Sequence, residues 1–245
     1  MTNLWFPIHL HYVPEQLVGT LNEAVVCVEW RPEQLKHYYG YTEKWSDKPG
    51  ERILQFLEKW PELANGTFPD DIHFTVEDEA DFGDDLDIIT SFKKKGLSSI
   101  QIYHDYDTRY FSQNKVSSDG RELFQRMQDN DVILDLSHLQ GESLTAILRG
   151  FNGRKIVSHV PCSELLSPSH YRRANALTDE ELRECNAELY GVPFLDDLVS
   201  KDSYYESKDR NAKVEDIRDH TLRMCDVVGV NKVALGPDFF DYNSS

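Results

Sequence analysis

Histidine, glutamate and aspartate residues recur in this chain at the ends of short apolar runs: His9 and His11, Glu77, His104, Asp135 and His138, His159, and Asp238. Imidazole and carboxylate together form a donor set that suits zinc and its transition-metal neighbours better than calcium or magnesium. A single histidine in such a place is ordinarily a hydrogen-bonded structural residue; recurrence on several runs is what implies a shared task. Two ions about 3.5–4 Å apart can share a water, lower its pKa and polarise the carbonyl it attacks. A carboxylate in the position of Asp238 could carry the proton of that water to a leaving amine. This chemistry needs no serine or cysteine nucleophile, and the chain has no G-x-S-x-G, P-loop or G-x-G-x-x-G motif to suggest another kind.

The elements that must position these residues are legible as strand-like runs at 4–12, 24–30, 72–77, 99–104, 132–138, 155–160, 187–194 and 232–238. Several are continuously apolar, as in Val132-Ile133-Leu134, which is the pattern of strands buried on both faces of a parallel sheet. Amphipathic segments at 84–95, 119–130, 142–149, 179–188 and 214–228 lie between them, and Thr178 with Glu181 forms a candidate capping box. Eight strands alternating with helices predict a (β/α)8 TIM-like barrel that stops just after its eighth strand. In such a barrel all the strand ends named above meet on one face. Period-two geometry also puts His9 and His11 on the same side of their strand.

A chain of 245 residues without repeats, low-complexity tracts or Gly/Ser linkers predicts one domain over residues 1–245. Its formal charge of −17 disfavours a nucleic-acid backbone or an anionic membrane as partner. Cys27, Cys162, Cys185 and Cys225 are widely spaced and read as reduced thiols. No run of eighteen apolar residues occurs, and the opening residues lack a basic segment followed by a long apolar one, so a cytoplasmic protein is expected.

The stretch from Gly96 to Asp238 resembles the membrane (renal) dipeptidase family of the amidohydrolase superfamily. Gly96 to His104 is similar to a family segment ending in Leu-Thr-His, and Asp135-Leu136-Ser137-His138 to its Asp-Leu-Ser-His strand. Ser158-His159 is similar to its Ser-His strand, and Gly236-Pro237-Asp238-Phe239 to its Gly-Gly-Asp-Phe ending. The resemblance implies a hydrolase that cleaves an amide bond in a dipeptide-like metabolite with two zinc ions, or with manganese or iron in their place. It further implies that Glu77 bridges the ions, that His138 and His159 complete one, and that His9 and His11 complete the other. Asp238 would handle the proton, His104 would hold the tetrahedral oxyanion, and Arg172 or Arg173, before Asn175-Ala176-Leu177-Thr178-Asp179, would grip the substrate carboxylate.

Departures from the family pattern are specific. His9-Leu10-His11 stands where the family has His-x-Asp, Glu77-Asp78 replaces Glu-Gly, Val160 follows Ser158-His159 where the family has serine, and Pro237 replaces a glycine. The chain also stops at Ser245, where family members continue. The apolar groove this would leave between the first and seventh helices is expected to be covered in a homodimer. The competing expectation is a catalytically silent barrel that uses the same pocket to bind a ligand or a partner protein.

Overall fold

A computed structural model of the protein describes residues 24–28, 72–77, 82, 85–103, 107–170, 175–201 and 213–238. Five strands form a parallel sheet whose spatial order is the order of the chain: β1 (Ala24–Val28), β2 (Ile72–Val76), β3 (Leu97–Gln101), β6 (Ile133–Asp135) and β7 (Lys155–Ile156). Register runs Val76 to Ile100, Gln101 to Asp135 and Asp135 to Ile156. A second parallel pair, β8 (Tyr190–Val192) and β9 (Val233–Leu235), continues the same progression. The bridge between Val157 and Tyr190 joins the two groups, with Gly191 N donating to Val157 O at 2.7 Å and Val160 N to Gly191 O at 3.0 Å.

Parallel neighbours need long crossovers, and helices supply them. They are α1 (Ile88–Lys93), α2 (Ser118–Asp129), α3 (Gly141–Gly150), α4 (Asp179–Cys185), the short α5 (Asp196–Val199) and α6 (Val214–Val228). Helix α2 starts where the Ser117 side chain accepts from Gly120 N, and it buries Gly120, Leu123, Phe124 and Met127, the i, i+3, i+4, i+7 stripe of a helix packed on a sheet. The expected capping box is present, with Glu181 N donating to Thr178 Oγ1 and Thr178 N to the Glu181 carboxylate. Helix α4 ends three residues before the expected position 188, because Asn186 takes the left-handed conformation at φ 43°. Phe74, Val76, Ile100, Leu134 and Leu136 from the strands and Phe92, Leu123, Leu144 and Ile147 from the helices form one core.

Strand β3 begins two residues before the expected 99. Ser98 and Ser99 look like loop residues, yet the Ser98 hydroxyl donates to Phe74 O and that of Ser99 to Thr75 Oγ1, both on β2. An unexpected hairpin, β4 (Phe111–Ser112) with β5 (Lys115–Val116), turns through Gln113 and Asn114 at φ 48° and 57°. Two central residues with positive φ suit the twist of a tight hairpin. Strands of two residues are too short for alternation to reveal. The outcome is an α/β fold with parallel strands in chain order, and among the described residues the sheet does not close on itself. The strand expected at 4–12 lies outside them. No helix among the described residues is long and apolar enough to cross a membrane.

Candidate metal centre

The parallel register carries the C-terminal ends of β2, β6 and β7 to one edge of the sheet. Glu77 directly follows β2. Beyond β6 the chain turns, with Leu139 N donating to Leu136 O, and His138 stands in that turn at φ 68°. His159 follows β7 by three residues. A left-handed conformation at a residue other than glycine costs on the order of 1–3 kcal/mol and tends to persist at functional positions. His138 is one such residue and Asp238, at φ 55°, is another.

Three ligand atoms converge. His138 Nε2 and His159 Nε2 lie 2.9 Å apart, and Glu77 Oε1 lies 3.7 Å from the first and 3.8 Å from the second. The point equidistant from all three is about 2 Å from each, the length of a zinc–nitrogen or zinc–carboxylate bond. Glu77 and His159 are buried, so this edge offers an ion a site with little competing water. Two imidazoles and a carboxylate fit a transition metal in both chemistry and spacing.

A polar layer lies directly beneath the histidines. Asp135 Oδ1 accepts from Ser137 N at 3.0 Å, Ser137 Oγ at 2.8 Å and Ser158 N at 3.0 Å. The two serine hydroxyls are 3.1 Å apart, Ser158 Oγ is 3.0 Å from His159 Nδ1, and His159 N donates to Ser137 Oγ at 3.1 Å. On the far side of the pair, Asn175 Nδ2 is 3.3 Å from His138 Nδ1. The sequence assigns no role to Ser137, Ser158 or Asn175, and marks Asp135 only as a strand-end carboxylate. The repeated Ser-His dipeptide at the ends of β6 and β7 was the available signal.

Asp238 is buried three residues beyond β9. Strands β8 and β9 press against the chain at Ser158, whose carbonyl oxygen would collide with a Cβ at either Gly191 or Gly236. Glycine at both positions therefore allows the close approach that carries the Asp238 segment alongside the His159 segment. His9, His11, His104, Arg172 and Arg173 lie outside the described residues. The sequence-predicted site is thus brought together in part: Glu77, His138 and His159 as a cluster, with Asp238 on the strand system next to them.

Three other buried residues of similar chemistry have a different setting. His220, on α6, accepts from Cys162 N at Nδ1 and donates from Nε2 to Val199 O, and burial pushes its pKa down to about 4. Burial pushes the thiols of Cys162 and Cys185 up to about 12, which leaves them protonated and inert.

The family model for membrane dipeptidase (peptidase family M19) matches residues 54–243. Dipeptidase tcpJ of Claviceps purpurea is 23% identical over 165 residues, a match that covers 64% of this chain and 37% of that protein. The chain therefore spans just over a third of the length of the curated relative it matches. Two solved structures share the fold. A metallopeptidase from Rhodobacter sphaeroides, liganded with a phosphinate mimic of the dipeptide L-Ala-D-Ala, has a TM-score of 0.66 at 18% identity, covering 95% of this chain and 77% of its own. An amidohydrolase from Pseudomonas aeruginosa has a TM-score of 0.68 at 16% identity, covering 98% and 74%.

Proposed function

The chain belongs to the membrane dipeptidase family (peptidase family M19), and from that premise we propose that it is a metal-dependent hydrolase of an amide bond in a small dipeptide-like metabolite. The observation that carries this reading is the convergence of Glu77 Oε1, His138 Nε2 and His159 Nε2 around a point at metal-ligand distance from all three. When bound, the ion supplies the Lewis acidity that activates a water and polarises the amide carbonyl. Zinc is the ion we propose, with His9 and His11 providing a second position.

Each residue then has a defined task. Asp238 takes a proton from the attacking water and delivers it to the amide nitrogen as the carbon–nitrogen bond breaks, releasing a carboxylic acid and an amine. His104 hydrogen-bonds the oxyanion, and Arg172 or Arg173 pairs with the substrate carboxylate through a bidentate contact that lysine cannot copy. We propose further that the parallel series belongs to an eight-stranded barrel, in which a strand at 4–12 would bring His9 and His11 to the same edge.

Metal analysis and a dipeptide panel test this reading together. The purified full chain is expected to hold at least one equivalent of zinc, to hydrolyse one or more dipeptides, and to lose that activity to a chelator and regain it with zinc. A chain that holds no metal under saturating zinc, or cleaves no dipeptide with its site filled, contradicts it.

A further inference from the structure

The polar layer under the metal centre contains more hydrogen-bonded contacts than it has protons to place freely, and counting those protons fixes the direction of each bond. Asp135 Oδ1 can only accept, so the single proton of the Ser137 hydroxyl goes to it. In the 3.1 Å contact between the serine hydroxyls, Ser158 must then be the donor. That uses its only proton. At the 3.0 Å contact with His159 Nδ1, the ring must therefore donate to Ser158 Oγ. Ser137 Oγ also accepts from His159 N, which fills its remaining acceptor position.

We infer that Asp135, Ser137 and Ser158 form a positioning chain that holds His159 as its Nδ1–H tautomer, with the Nε2 lone pair turned to the metal centre. The hydrogen bond made by one ring nitrogen sets which of the two can ligate. Ser158 contacts the ring at Nδ1, and Asp135 acts on it through the two hydroxyls; the end of β6 is tied to the segment after β7 by Ser158 N to Asp135 Oδ1, by the contact between the hydroxyls and by His159 N to Ser137 Oγ. This inference rests on the metal-centre reading above.

The second histidine is held differently. His159 Nε2, as a lone pair, accepts from His138 Nε2 at 2.9 Å, and His138 Nδ1 accepts from Asn175 Nδ2 at 3.3 Å. All the bonds thus run one way, from Asn175 to Asp135. The two ends are unequal. Asp135 has only acceptors, whereas the Asn175 amide has a donor and an acceptor and serves either tautomer of His138 by turning over. His159 is the fixed ligand and His138 the adaptable one. To free its Nε2, His138 moves that proton to Nδ1, where Asn175 Oδ1 receives it.

The test is a nitrogen NMR spectrum of the full chain labelled at histidine and stripped of metal, with His159 assigned by its disappearance in His159→Gln. The proton of His159 is expected on Nδ1. In Ser137→Ala the Ser158 hydroxyl is released to donate to His159 Nδ1, so the ring should shift toward Nε2–H and zinc affinity should fall about 10- to 100-fold. Ser137→Thr, which keeps the hydroxyl, should restore both. A wild-type His159 protonated on Nε2 overturns the inference, even where the alanine variant fails to fold. So does Ser137→Ala with tautomer and affinity both unchanged, since a merely structural clip would cost stability and move neither. A wild-type chain with the Nδ1–H tautomer that binds no zinc instead overturns the metal reading, which separates the two failures.

Discussion

His159 and His220 are both almost wholly inaccessible to solvent, and burial alone would rank them as equals. Their ring nitrogens tell them apart. His220 gives both to the main chain, taking a bond from Cys162 N and making one to Val199 O, so its valences are closed and it fastens α6 to the segment after β7 and to the end of α5. His159 gives only Nδ1 to a side chain and keeps Nε2 among ligand atoms, beside His138 and within 3.8 Å of Glu77. A buried imidazole with both nitrogens bonded to backbone is a fastener; one that keeps a nitrogen beside another imidazole and a carboxylate is placed to ligate a metal.

Removing each ring should give opposite results, and this is the largest effect expected. His159→Ala leaves one imidazole and one carboxylate at the cluster. Its zinc affinity should fall by more than the roughly 10- to 100-fold typical of losing an outer hydrogen-bond partner, and dipeptide hydrolysis should vanish with it. His138→Ala should behave alike. His220→Ala should keep its zinc and lose about 2–4 kcal/mol of stability, from the cavity together with the Cys162 N–H left unpaired. Zinc titration and urea unfolding of the same variants read both quantities. A His220→Ala protein that loses metal while still folded would dissolve the distinction.

The next effect separates ligand from proton carrier. Asp238 shares with His138 a left-handed backbone and a strand-end position, but the proposal gives it a proton rather than an ion. Asp238→Asn should keep its zinc and slow hydrolysis by about 10²- to 10⁴-fold, the usual worth of general acid–base catalysis. An inhibitor that coordinates the metal should bind this variant within a few-fold of the parent. Parental turnover, or loss of all metal, would remove Asp238 from its role.

How far the sequence could anticipate this contrast depends on what each residue's neighbours reveal. The strand-helix alternation is legible because β2, β6 and β7 lie in short stretches rich in apolar residues that lead to a ligand-type residue, and the bounds of α6 are legible in its apolar spacing. Glu77, His138 and His159 were legible as a set for the same reason. The role of Ser137 and Ser158 was not, because a hydroxyl acquires a direction only when the acceptor on a neighbouring strand is known. Ser98 and Ser99 disguised the start of β3 in the same way, their hydroxyls being satisfied across strands. For His220 the sequence suggested a solvated or structural residue; the structure decides for structural, through partners 58 and 21 residues away in the chain.

The smallest effect expected is one of pH, and it arises at His220. Burial is the main cause of its low pKa and outweighs the opposing pull of the Val199 carbonyl and of Asp216 and Asp219, while His170 lowers it further. In the unfolded chain the ring should titrate near the ordinary value of about 6.5; in the folded protein it titrates at about 4. The unfolded state therefore binds more protons in this window, so stability falls as pH falls. The contribution is complete above the unfolded value and is lost progressively on acidification through 6.5 toward 4. Between pH 7 and pH 5 the loss from this one group should be about 2 kcal/mol. His220→Gln cannot take up that proton. Urea unfolding of the metal-free parent and variant across this range should therefore give two curves that draw together as pH falls, because the acidic slope of the parent is steeper. Parallel curves would mean that His220 is charged or solvated in the folded protein, and the closed valences that set it apart from His159 would have to be given up.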